Sequence, residues 1–253
     1  MKGLDIFRRH FDGLDQHYAL IGGAACYVIM DEVGLEFRAT KDIDIVILVE
    51  LLDPAFGARF WTFIEAGGYE QRERSSGGKE FYRFQKPSNP DYPSMLEIFS
   101  RPPATILPAE GSALTPLPID EDIASLSAIL LDEDYYAALV ANKRAIDGVA
   151  VLDERLLIPF KAKAHLDLAQ RREAGDAVDA KAVRKHRTDV FRLLQLLRDD
   201  ERIDLPDPIK ADLTAFADKV DADGDFIPKD AGLRGSAAEL TDRLRRLFAL
   251  AER

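Results

Sequence analysis

Residues 18–49 read YALIGGAACYVIMDEVGLEFRATKDIDIVILV. An apolar run, Tyr18–Ile21, meets Gly22-Gly23, and a segment of helical character follows from Ala24 to about Val33, with Gly34 as its C-terminal cap. Thr40 and Lys41 then lead into Ile43–Val49, a continuous apolar run whose composition predicts a strand buried on both faces. Asp42 and Asp44 sit at the mouth of that strand. Side chains alternate along a strand, so both carboxylates project to the same side, roughly 6–7 Å apart. A hydrophobic strand has no packing reason to begin with two acids on one face. The plain alternative makes Asp42 a turn cap and Asp44 a solvated strand-end acid. Against it, Asp44 lies between Ile43 and Ile45, where an unpaired carboxylate is costly. A divalent cation offsets that cost, and Mg²⁺ takes one or two protein carboxylates together with phosphate oxygens and water.

The glycine pair is weaker evidence by itself. Between a strand and a helix it lets the backbone turn tightly and approach a ligand closely. The unpaired N–H groups of the helix that follows favour an anion such as a triphosphate. Most Gly-Gly pairs are turns and nothing more.

Composition narrows the classes. With 253 residues, 47% hydrophobic and 31% charged, the chain has the makings of one large domain or two small ones with ample core. No 18-residue apolar stretch and no charged-then-apolar leader is read, so neither a membrane span nor a signal peptide is expected. Cys26 is the single cysteine, which points to a reducing cytoplasmic setting. One thiol and four dispersed histidines make a zinc site a poor expectation, and neither GxxxxGK nor GxGxxG occurs. The net charge of −11 argues against nonspecific binding of nucleic acid by the whole surface. Within it, residues 161–198 hold ten Lys/Arg against five Asp/Glu, a local +5 that points to a local anion site.

Along the chain, Leu4, Phe7, Phe11 and Leu14 predict a helix over 3–16. Asp53-Pro54 opens another, with Phe56, Phe60, Phe63 and Ile64 on one side and Gly67-Gly68 at its end. Tyr69–Arg72, Glu80–Phe84 and Ser94–Phe99 read as antiparallel strands joined by the polar loops RERSSGGK and KPSNPDYP. Five prolines within 101–118 mark a boundary. Beyond it the chain reads as helical: Asp120–Leu131, Tyr135–Ala145, Leu156–Arg172 with Pro159 in its first turn, Ala180–Arg198, and a last amphipathic helix through Ala237, Leu240, Leu244, Leu247 and Leu250. Gly148–Leu152 is a strand or an extended connection, and 199–234 is an acidic segment punctuated by Pro206, Pro208 and Gly224. The expected fold is α/β: a mixed sheet flanked by helices over 1–118, then a helical domain over 119–253.

A third acid, Glu97, interrupts the apolar run Met95–Phe99 as Asp44 interrupts its own. Three such acids can hold two metals roughly 3.5–4 Å apart for in-line displacement at phosphorus. For Glu97 alone, an edge-strand acid facing water reads equally well. On the helical side, Lys161 and His165 share a helix face, as do Lys185 and Asp189. A lysine aimed into a cleft neutralises phosphate as a point cation, whereas a surface ion pair is the ordinary reading of Lys185 and Asp189.

Gly22-Gly23, then Arg38-x-Thr40-x-Asp42-x-Asp44, then an acid on a later strand resembles the nucleotidyltransferase superfamily headed by DNA polymerase beta. Within it, the chain is most similar to the AbiEii-type (abortive infection, toxin–antitoxin) nucleotidyltransferases. Residues 160–168, FKAKAHLDL, resemble that family's K-x-x-A helix, and residues 185–193, KHRTDVFRL, its K-x-x-x-D helix. Ala24-Ala25 stands where the family often has Thr or Ser, so a hydroxyl contact to phosphate is missing. The resemblance implies transfer of a nucleoside monophosphate from NTP to an acceptor, with the helical domain closing over the nucleotide. Asp42, Asp44 and Glu97 would hold Mg²⁺ (or Mn²⁺), with Glu97 placed to deprotonate the acceptor and Asp189 joining the catalytic set. Gly22, Gly23, Arg38, Thr40 and Lys161 would hold the triphosphate, with Lys163 and Lys185 as further candidates. It also implies an RNA acceptor such as a tRNA 3′ end, and a toxin restrained by an antitoxin protein. Rival readings are a small-molecule nucleotidyltransferase of the aminoglycoside-modifying kind, a non-catalytic nucleotide- or protein-binding module, and a structural protein.

Overall fold

The computed structural model describes residues 1–38, 40–48, 54–70, 81–99, 129 and 132–251. The polar loop 72–79, the proline-rich boundary 101–118 and, apart from Ile129, the expected helix 120–131 lie outside the described residues. The chain divides into two compact units, Met1–Ile119 with Lys143–Asp153, and Asp120–Asn142 with Glu154–Arg253.

The first unit is an α/β layer built on a six-stranded mixed sheet. In chain order it runs α1 (Leu4–His10), β1 (Tyr18–Ile21), α2 (Gly22–Glu32), β2 (Asp42–Ile47), α3 (Pro54–Gly67), β3 (Phe81–Gln85), β4 (Met95–Phe99), β5 (Lys143–Ile146) and β6 (Val149–Leu152). The strand order is β3-β4-β2-β1-β6-β5. β2 runs parallel to β4 and antiparallel to β1, while β3 is antiparallel to β4. The expected antiparallel segment therefore joins the rest through a parallel pair, since α3 lies between β2 and the β3–β4 arm.

Alternation along these strands separates an apolar face from a polar one. Tyr18 and Phe84 stand on the first face, against rings of α1 and α3: Tyr18 meets Phe7 at 5.5 Å, and Phe84 meets Phe60 at 5.8 Å. Phe63 joins Phe7 and Phe11 at 5.7 and 5.4 Å, so the two helices share one aromatic cluster. By register, Leu20 with Ile45 and Leu96 with Ile43 fall on that same face. Asp42, Asp44 and Glu97 fall on the other.

Several expected elements differ in extent. The first helix stops at His10 rather than running to residue 16, because Asp12-Gly13 interrupts it and Gly13 takes φ +75°. The second begins at Gly22, two residues before the expected start, and closes with Gly34 N–H on the Asp31 carbonyl (3.0 Å) and Leu35 N–H on that of Met30 (2.9 Å). The helix expected over 135–145 ends at Ala141, and Lys143–Leu152 forms a hairpin instead. Its two-residue turn, Asp147-Gly148, has φ of +48° and +77°, the positive pair that twists a tight hairpin correctly. β6 then pairs in parallel with β1, which returns this stretch to the sheet.

The second unit is helical: α4 (Glu133–Ala141), α5 (Glu154–Glu173), α6 (Ala180–Leu194), α7 (Asp207–Ala222) and α8 (Ala237–Leu247). Asp132 and Asp179 cap α4 and α6 through their side chains, and Ser236 with Glu239 forms a capping box on α8. Pro159 is the sixth residue of α5, beyond its first turn. α7 occupies the acidic segment for which no helix was expected. Its buried residues Ile209, Leu213, Phe216, Ala217 and Val220 follow the 3.6-residue period, and Pro206 and Pro208 mark its start. Phe191 of α6 packs on Phe216 at 5.7 Å and on Phe226 at 5.2 Å, at the centre of this core.

Candidate active site

Strand register assembles the polar face. Asp44 of β2 is the partner of Ile21 on one side and of Glu97 on the other, and Glu97 is in turn the partner of Arg83 on β3. The chain turns into α2 immediately after Ile21, so the first turn of that helix lies beside Asp44. Gly22 has φ +62°, and a Cβ there would overlap the Asp44 carboxylate. Only glycine satisfies both the backbone angle and the close approach.

The start of α2 carries no side-chain cap, Ile21 standing at the capping position. An anion is the natural partner for its first N–H groups. Arg38 and Thr40 converge on the same turn: a Cβ at Gly23 would lie 3.0 Å from Thr40 Oγ1 and 3.5 Å from Arg38 Nη2. Thr40 also reaches the Asp42 carbonyl at 3.5 Å, and the Arg38 guanidinium stacks on the Phe37 ring at 5.1 Å. Gly22, Gly23, Arg38, Thr40 and Asp44 therefore form one cradle.

Glu97 is 7% exposed and hydrogen-bonds the Asp44 carboxyl. Burial pushes the Glu97 carboxyl far above its ordinary range, and the negative charge of Asp44 pushes it further. Arg83 pulls the other way without reversing the shift. Its Nε donates to Glu97 Oε1 at 2.8 Å and its Nη2 to the same oxygen at 2.5 Å. Burial and the neighbouring acid therefore favour a proton on Glu97 or a cation beside it.

That excess of negative charge fits a hard divalent cation. Among the described residues, no three His, Cys, Asp or Glu side chains are gathered closely enough to hold a metal ion by themselves. The residues that could hold one are the Asp44–Glu97 pair, with Asp42 two residues earlier on the same face of β2; Mg²⁺ takes one or two carboxylates together with phosphate oxygens and water.

The remaining predicted residues lie in the second unit. Lys161 of α5 and Asp189 of α6 pair at 3.5 Å with side chains 5% and 1% exposed, inside the helical core. Lys163 leaves another face of α5 and bonds Asp212 of α7 at 2.9 Å, where the Tyr135 hydroxyl also donates at 3.0 Å. Lys185 is half-buried on α6. Arg83 is the residue that sequence reasoning passed over. The signal for it was an arginine inside the apolar strand FYRFQ, but its relation to Glu97 needs the β3–β4 register.

No family model matches the chain, and no curated protein matches it. Among solved structures, it is similar to the crystal structure of an antigenic nucleotidyltransferase-like protein from Paracoccidioides brasiliensis. The two share 14% identity at a TM-score of 0.49, over 96% of this chain and 90% of the other. A likeness that distant carries no argument about activity. No helix among the described residues is long and apolar enough to cross a membrane.

Proposed function

We propose that the chain is a nucleotidyltransferase that moves a nucleoside monophosphate from an NTP to an acceptor hydroxyl and releases pyrophosphate. The observation that carries this reading is the packing of Asp44 against Gly22, with Glu97 in register on the next strand. It sets an anion-seeking helix terminus beside an acid pair whose charge suits a cation. The resemblance of the Gly-Gly and Asp-x-Asp pattern to nucleotidyltransferases supports the same reading.

In this reading the first turn of α2, Arg38 and Thr40 bind and orient the triphosphate. Asp42 and Asp44, with Glu97 beside them, would hold Mg²⁺ or Mn²⁺, which supplies charge neutralisation for the phosphoryl oxygens and the leaving pyrophosphate. The acceptor oxygen attacks the α-phosphorus, the bond to the β-phosphate bridge breaks, and Glu97, which would be ionised once a cation replaced the proton it otherwise holds, takes the hydroxyl proton. Arg83 fixes Glu97 and balances its charge. The sequence resemblance extends the proposal to an RNA acceptor such as a tRNA 3′ end and to a toxin paired with an antitoxin.

Labelled NTPs, Mg²⁺ or Mn²⁺ and total tRNA, incubated with the wild type and with Asp44→Ala, test the reading. Label on RNA that disappears in the variant supports it. Label on an aminoglycoside and none on RNA moves the acceptor to small molecules. An absence of nucleotide and metal binding by calorimetry overturns the enzyme reading altogether.

A further inference from the structure

The helical unit contains a cavity of about 740 Å³, well within the range of small-ligand pockets. It draws on the basic stretch that stands out in an otherwise acidic chain. Arg172 of α5, and Arg184 and Arg187 of α6, all line it. We propose that this cavity is a phosphate-binding site, in which one phosphoryl group is held among Arg172, Arg184 and Arg187.

Arg187 is the anchor. It is 5% exposed, its Nη1 donates to Asp223, and its guanidinium lies 4.6 Å from the centre of the Phe226 ring. Its buried Nε has no hydrogen-bond partner among the described residues. Held this way, its guanidinium places a fixed positive charge at the cavity wall. Arg172 and Arg184 are exposed at the cavity wall, and neither forms an ion pair among the described residues.

The remaining charges around the cavity are mostly spent on one another. Lys219 bonds Glu173 at 2.7 Å, and Asp223 is held by Arg187. That leaves Arg172 and Arg184 against Asp225, a positive balance that favours an anion. His165 adds a neutral ring, since burial pushes its imidazole down to about 4 and its Nδ1–H donates to the Val183 carbonyl at 2.9 Å. Guanidinium forks match phosphoryl oxygens better than point cations do, which is why three arginines indicate phosphate. The cavity far exceeds one phosphate ion, so the ligand is a phosphate ester: a small phosphorylated molecule or one phosphodiester of a single-stranded RNA. The site stands independently of nucleotide transfer in the sheet unit.

The test is calorimetric titration of the full chain carrying Asp44→Ala, in metal-free buffer, which removes the sheet site from the measurement. The probes are inorganic phosphate, pyrophosphate and a short single-stranded RNA. Saturable, salt-weakened binding is expected, and adding Arg172→Ala and Arg184→Ala weakens it about tenfold or more. Arg184→Lys, which keeps charge but loses the fork, falls between. Both arginines are exposed, and an unchanged circular dichroism spectrum verifies that the variants are folded. Pyrophosphate binding without RNA binding assigns a small phosphate ester, and RNA that displaces pyrophosphate assigns the phosphodiester. No saturable binding of any probe, or equal binding by the arginine variants, overturns the proposal.

Discussion

In the sheet of the first unit, Asp44 and Glu97 stand side by side with the same sign of charge; in the helices of the second, Lys161 and Asp189 face each other with opposite signs. Glu97, Lys161 and Asp189 are buried and Asp44 is half-buried. The helical pair is neutral as a whole and ties α5 to α6, so its logic is complete within the protein. The sheet pair is incomplete. It needs a proton, the partial help of Arg83, or a cation from outside. The opposite charges of Lys161 and Asp189 secure the helical core, whereas the like charges of Asp44 and Glu97 add nothing to stability by themselves.

The largest effect expected from this contrast is on the helical pair. Lys161→Met takes the ammonium away from buried Asp189 and should lower unfolding stability by about 3–5 kcal/mol in denaturant titration. The double change Lys161→Met with Asp189→Leu should recover most of that loss. A Lys161→Met protein of unchanged stability that fails to bind nucleotide would break the contrast and move Lys161 to the phosphate site.

His165 offers the next largest effect. Its imidazole titrates near 4 in the folded chain against an ordinary value of 6.5, so between those values the unfolded chain binds the proton and the folded chain does not. Stability therefore falls as pH drops from about 6.5 to 4, by up to about 3 kcal/mol. Chemical denaturation across that range should show the slope, and His165→Phe should flatten it.

Gly22→Ala comes third. It forces a Cβ onto a residue at φ +62° and into the Asp44 carboxylate, and should cost about 2 kcal/mol while displacing Asp44 and abolishing transfer. Smallest is Asp44→Asn, which should leave the protein as stable as wild type or about 1 kcal/mol more so without divalent metal, because it removes a like charge from beside Glu97. Mg²⁺ should then raise the melting temperature of the wild type and leave that of Asp44→Asn unchanged. Equal Mg²⁺ stabilisation of both proteins would remove Asp44 from the metal site.

Much of the sheet unit was legible in advance because its signals are local. The period-2 pattern of Ile43, Ile45 and Ile47 against Asp42 and Asp44, the Gly22-Gly23 turn and the aromatic spacing of α3 each depend on neighbours within a few residues. The hairpin 143–152 was partly visible in Asp147-Gly148, yet its strands are only four residues long, and the helical pattern of Tyr135–Ala141 was carried into them. Helix α7 was hidden because Pro206 and Pro208 read equally as loop residues, and the apolar positions Ile209, Leu213 and Phe216 are widely spaced among acids. Arg83 and the arginine-lined cavity were visible locally only as an arginine in FYRFQ and a basic stretch over 161–198; what those side chains face depends on distant partners.

The sequence by itself determined the two acids on one strand face, the glycine turn before a helix, the third acid in Met95–Phe99, and a basic stretch in an acidic chain. These follow from backbone periodicity and from composition, which need no knowledge of what lies opposite. Only the tertiary structure decided that β4 lies parallel to β2 with Glu97 level with Asp44, that Arg83 claims Glu97, and that Lys161 and Asp189 neutralise each other in the helical core. Strand order and side-chain pairing join residues tens of positions apart. The energy that chooses among them, burial weighed against the cost of unpaired charge, exists only once the layers have packed.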